Sequence, residues 1–146
     1  METWRETASE EVGDDFDRLA EVSIGAARKF LDENGEFIPF PMAIKSDGEL
    51  ALIGLEQPDT PTTPDAEEVL AGIVTLFRER RNSIRALAIV ADVQVPSEAT
   101  DAIEVRLEHR DGVSITVLVP YQIDPLDDAY LYEEPTVQEG DHLIWD

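Results

Sequence analysis

Histidine is the side chain that titrates near neutrality without help, and the 146-residue chain holds two, His109 and His142. His109 falls on the apolar face of a strand, next to a turn. A carboxylate at Asp92 or Asp111 would make it half of an acid–base pair. No serine stands in a nucleophile elbow, and there is no cysteine, so a histidine half buried over the core is the simpler expectation. His109-Arg110-Asp111 matches a kinase catalytic loop in letters alone, without the glycine-rich loop or the Asp-Phe-Gly segment. His142 follows Asp141, a pair with too few ligands for a metal.

Asp92 interrupts the apolar run IRALAIVADVQV. A carboxylate there must be paired or pay for burial with a shifted pKa. It is expected at the strand's exit, partnered by a backbone amide or an arginine, with a catalytic or ligand role as the alternative. Arg78, Arg80, Arg81 and Arg85 gather four of the eleven basic residues within eight positions. Such a cluster could grip a phosphate or carboxylate, although helix-dipole complementation and ion pairing account for it more simply. No phosphate-cradling glycine motif occurs. Asp14, Asp15 and Asp17, and Asp124 with Asp127 and Asp128, bring hard oxygens together, but neither group has the glycine and glutamate that an EF-hand needs. No catalytic residue, metal or cofactor is therefore assigned. Arg78, Arg80, Arg81, Arg85, Asp92 and His109 remain as candidate binding residues.

These side chains need elements to position them. Val12, Phe16, Leu19, Ala20, Ala27, Phe30 and Leu31 recur at helical spacing, predicting an amphipathic helix over 9–34 with Ser9 as N-cap and Asn34-Gly35 as its stop. Residues 35–56 alternate around Lys45-Ser46-Asp47-Gly48 as a β-hairpin. Pro39 and Pro41 sit two apart and remove N–H groups from one side, marking an edge, a bulge or a frayed entry. A proline-rich loop over 57–64 leads to a second helix from Asp65 to about Arg81, with Val69, Leu70, Ile73, Val74 and Phe77 as its buried stripe. Residues 84–95 are apolar on both faces, as the middle of a sheet requires. Strands over 102–110 and 113–121 follow. A two-residue Asp111-Gly112 turn would set polar against apolar residues. A three-residue Arg110-Asp111-Gly112 loop instead pairs His109 with Val113, Leu107 with Ile115, Val105 with Val117 and Ile103 with Val119.

The whole is expected to be one α+β domain over 1–146, with an antiparallel five-stranded sheet, two helices and the order α-β-β-α-β-β-β. Residues 1–8 form an N-terminal extension, and 124–146 an irregular tail packed on the body. The chain carries 33 acidic and 11 basic side chains, a net charge of -22. That charge argues against nucleic acid and membrane surfaces as partners. No apolar stretch approaches a membrane span, and the start lacks the features of a signal peptide, so a soluble, cytoplasmic protein is expected.

At GEFIPFPMAI, IRALAIVADVQVP, DAIEVRLEHRDG and VLVPY the chain resembles a group of small bacterial hypothetical proteins, a resemblance that brings no function with it. The element order is similar to the profilin-like roadblock/longin arrangement, which implies a dimerising scaffold rather than an enzyme. The leading expectation is a non-enzymatic interaction domain that binds a protein partner or a second copy. An immunity- or inhibitor-type protein that neutralises a basic partner is the alternative. For that reading, acidic side chains gathered on one face would count in favour and an even spread against. A small hydrolase or ligand-binding enzyme would need His109 and Asp92 within hydrogen-bond reach in a pocket.

Overall fold

The computed structural model describes residues 10–35, 37–52, 66–95, 100–126 and 129–145. Helix α1 spans Glu10–Asn34, strands β1 and β2 span Phe40–Lys45 and Leu50–Leu52, and helix α2 spans Ala66–Arg80. Strands β3 (Ile84–Val95), β4 (Thr100–His109), β5 (Ser114–Ile123), β6 (Tyr130–Tyr132) and β7 (Thr136–Glu139) follow. The sheet is antiparallel in the order β2-β1-β3-β4-β5-β6, with β7 also paired to β5.

Among the described residues the α+β class, two helices and an antiparallel sheet are as expected, but the sheet has seven strands rather than five. The difference lies in the segment expected to be irregular. Both β6 and β7 are short and largely exposed, so they carry no burial alternation to read. Ladder bonds to the two ends of β5 hold them in place.

Why β3 is central follows from its sequence. Ala86, Ala88 and Val90 face α1, where Val12, Phe16, Leu19 and Leu31 close the larger core with Met42, Val105 and Val117. Leu87 and Ile89 face the other way and meet Ile73 and Phe77 of α2. A strand buried on both faces has no polar side to offer water. The β4–β5 register is Leu107 to Ile115, Val105 to Val117 and Ile103 to Val119, with His109 N–H donating to the Val113 carbonyl at 2.9 Å. Gly112 has φ 95°, the left-handed position that a three-residue loop with a bulge requires. Pro41 pairs with Ile89 of β3, and the register with β2 runs over Met42 to Ile44 among the described residues. The Ser9 and Asp65 caps and the 57–64 loop lie outside the described residues. No described helix is long and apolar enough to cross a membrane.

Candidate functional site

The first step at the site is an irregularity in β3. Lys45 pairs with Ile84 and Ile44 with Ala86, leaving Arg85 as an extra residue. Simple alternation would send Arg85 to the α2 side beside Leu87. The bulge turns it toward α1 instead, the kind of re-aiming that bulges produce.

There it meets Asp15. Arg85 Nε and Nη2 donate to the two Asp15 carboxylate oxygens at 3.0 and 2.9 Å, the bidentate fork that arginine makes with carboxylates. His109 Nε2 lies 3.0 Å from Asp15 Oδ2. On the other side of the ring, Nδ1 accepts the Asp111 backbone N–H at 3.2 Å. An accepting Nδ1 carries no proton, so the tautomer this network selects has its hydrogen on Nε2, donated to Asp15. His109 is wholly buried and Asp15 nearly so, while the Phe16 ring meets the imidazole edge-on at 6.1 Å between centroids. The hydrogen bond to Asp15 raises the Arg85 pKa above its ordinary value, with Glu11 and Asp47 adding attraction. Around buried Asp15 and His109 and half-buried Arg85, Glu11 and Asp111 are exposed. A ligating atom from each of Glu11, His109 and Asp111 lies within 4.8 Å of the other two.

Asp92 is elsewhere. It lies inside β3, opposite Ile103, rather than at the strand's exit. Its Oδ1 accepts the Tyr121 hydroxyl at 2.6 Å, a phenol partner that the spacing of the strand does not announce. Burial first, and then the bond to Asp92, push the Tyr121 hydroxyl well above its ordinary pKa of 10.0. Tyr130 and Tyr132 stack beside it, and the Arg28 guanidinium lies 4.1 Å above the Tyr132 ring. Asp92 and His109 share the α1 side of the sheet, but Ala86, the β3 partner of His109, is six positions from Asp92. That separation is about 20 Å along a strand, so the two make no acid–base pair.

The arginine cluster is likewise divided. Arg78 Nε donates to the Leu143 carbonyl at 2.8 Å, Arg80 and Arg81 are exposed near the end of α2, and Arg85 joins Asp15. Glu108 was not anticipated. Its buried carboxylate faces away from α1 and accepts backbone N–H groups from Leu143, Ile144 and Trp145 at 2.6 to 3.2 Å. Ile144 is thereby seated in the smaller core. His142 is exposed.

One corner of the surface stands apart. Ile123, Leu126 and Leu131 are the large apolar side chains that stay exposed among the described residues, at 54, 91 and 53%. All three belong to the end of β5, the following turn and β6. Exposed acids occur on α1, on α2, on the β1–β2 turn and around β6 and β7, so acidity marks no single face. A local asymmetry nevertheless exists, because the chain has no Lys or Arg after Arg110. Comparison with protein families, curated proteins and solved structures finds no match.

Proposed function

We propose that the protein is a non-enzymatic binding module that receives a basic, amphipathic segment of another protein at the β5–β6 corner. The exposure of Ile123, Leu126 and Leu131 carries this reading. Exposed large apolar side chains rimmed by charge mark an interaction surface; these border the β6 edge from both faces of the sheet, since Ile123 lies opposite Tyr130 and Leu131 opposite Gln122. Asp124, Glu133 and Glu134 supply acidic groups in the same stretch of chain, and they favour a partner with lysines or arginines between its apolar residues. The even spread of acids elsewhere counts against a purely electrostatic inhibitor, since charge alone selects no docking face. A second copy is a poorer occupant at low salt, because each chain brings a charge of -22.

An absence of activity is part of the proposal. His109, Asp15, Arg85, Asp92 and Glu108 are each held in contacts within the chain. The direct test is a backbone NMR titration with a peptide of alternating leucine and lysine, beside oligolysine as the charge-only control. Shifts confined to residues 122–126 and 129–139 with the amphipathic peptide are expected. Equal, chain-wide shifts with both peptides, or none with either, would overturn the assignment.

A further inference from the structure

The buried ring of His109 has one nitrogen fixed by a carboxylate and the other 3.8 Å from an exposed one, that of Asp111, with Glu11 close by. We propose that Glu11, His109 and Asp111 bind one divalent transition-metal ion of the Zn2+ type, where the first turns of α1 meet the β4–β5 turn. Three observations carry it. A ligating atom of each residue already lies within 4.8 Å of the other two, and His109 Nδ1 is 3.8 Å from Asp111 Oδ2. Ligands about 2.0–2.2 Å from a common ion stand roughly 3.0–3.5 Å apart, so rotamer adjustments of the exposed Glu11 and Asp111, together with a shift of the Asp111 amide off Nδ1, close the site.

The imidazole, in contrast, needs no adjustment. Nε2 is tied to Asp15 at 3.0 Å, and Asp15 is tied in turn to Arg85 at 2.9 Å. A carboxylate on the far nitrogen fixes ring orientation and tautomer, and it makes the remaining nitrogen a better ligand. What the ion must displace is the 3.2 Å bond from the Asp111 amide to Nδ1, a long contact that the exposed turn can surrender.

Charge supplies the third argument. Arg85 and Asp15 balance each other, so Glu11 and Asp111 leave two negative charges beside one neutral nitrogen. Two carboxylates and an imidazole suit Zn2+ or Ni2+ over Mg2+ or Ca2+, which take oxygen ligands. With three protein ligands, a fourth position stays open to water.

A chain this acidic attracts any divalent cation, so the experiment must separate a site from an atmosphere. Metal-stripped full-length protein is titrated calorimetrically with Zn2+, Ni2+ and Mg2+ at about 0.15 M salt, where diffuse attraction is screened. One Zn2+ per chain is expected, with Mg2+ weaker by about tenfold or more. Glu11→Gln and Asp111→Asn each weaken Zn2+ by about tenfold or more. Glu10→Gln and Asp14→Asn remove the same charge from neighbouring exposed positions and leave the affinity nearly unchanged. Both pairs alter exposed side chains, so folding is preserved, and thermal unfolding of the metal-free variants checks this. A shift of the His109 ring signals saturating at one equivalent of Zn2+ completes the assignment. Mg2+ binding as tightly as Zn2+, equal losses in site and control variants, or no saturable Zn2+ binding would overturn it.

Discussion

Asp15 ties α1 to the sheet through two cationic or hydrogen-bonding partners from different strands. Asp15→Ala leaves the largely buried Arg85 guanidinium and the wholly buried His109 without their acceptor. Removing one member of a buried pair is costly. Urea unfolding should show a loss of about 3 kcal/mol, near the lower end for such changes because the Arg85 side chain keeps 21% of its exposure. Asp14→Ala, one position away and exposed, should be close to neutral. Asp15 was legible in principle: it is three residues after Val12 and four before Leu19, inside the apolar stripe of α1. Its place among Asp14 and Asp17 hides that it faces the core. Ion pairing by Arg85 was legible, but its turn toward Asp15 was not, because the bulge that re-aims it depends on the register between β1 and β3 and leaves no trace in the spacing of either strand.

Tyr121 sets a pH limit at the same scale. Its folded-state pKa is raised above the ordinary 10.0, chiefly by burial and then by the bond to Asp92. The native state therefore holds this proton more tightly than the unfolded chain does. The resulting stability is complete below the unfolded value and is lost as pH climbs through the folded one. Unfolding free energy measured from pH 9 upward should begin to fall near pH 10, and Tyr121→Phe should flatten that part of the decline. An equal decline in the variant would place the effect in other groups.

Among the elements, the β4–β5 hairpin and the C-terminal strap, residues 141–145 held by Glu108, behave differently. The hairpin could be read from the sequence since only one turn length sets apolar residues opposite each other on both strands. Gly112→Val forces a β-branched residue into a backbone with φ 95° and should cost about 1–3 kcal/mol in thermal or chemical unfolding. That the strap packs as irregular structure on the body is as expected from Leu143, Ile144 and Trp145, but its hold could not be read, as it is a carboxylate receiving backbone N–H groups, a pattern any three residues can supply. Gly140, before the strap, is fixed by close approach, because an added Cβ would stand 2.8 Å from Ser114 Oγ and 3.0 Å from the Ile115 carbonyl carbon. Glu108→Ala and deletion of residues 141–146 should each destabilise the fold substantially. Together they should cost far less than their sum, since both release the same contact.

For the whole molecule, the even spread of acidic groups makes self-repulsion a property of the fold rather than of one site. Raising NaCl from about 0.05 to 1 M screens it, and the unfolding midpoint should rise with salt. The charge also means that attraction of a basic partner is general, while the place of docking is local. The corner at Ile123, Leu126 and Leu131 was invisible to strand reading because Tyr130–Tyr132 is too short to show a period. The absence of basic residues after Arg110 was its one sequence signal.

The most direct test of the binding role compares the Kd of a leucine–lysine amphipathic peptide for the natural chain and for a Leu126→Glu, Leu131→Glu double variant. The variant adds negative charge, so an electrostatic contact would strengthen, whereas a contact made through the apolar corner would weaken. The account predicts a loss of about tenfold or more, roughly two exposed leucines' worth of apolar burial. Affinity that is unchanged or increased in the variant would contradict it.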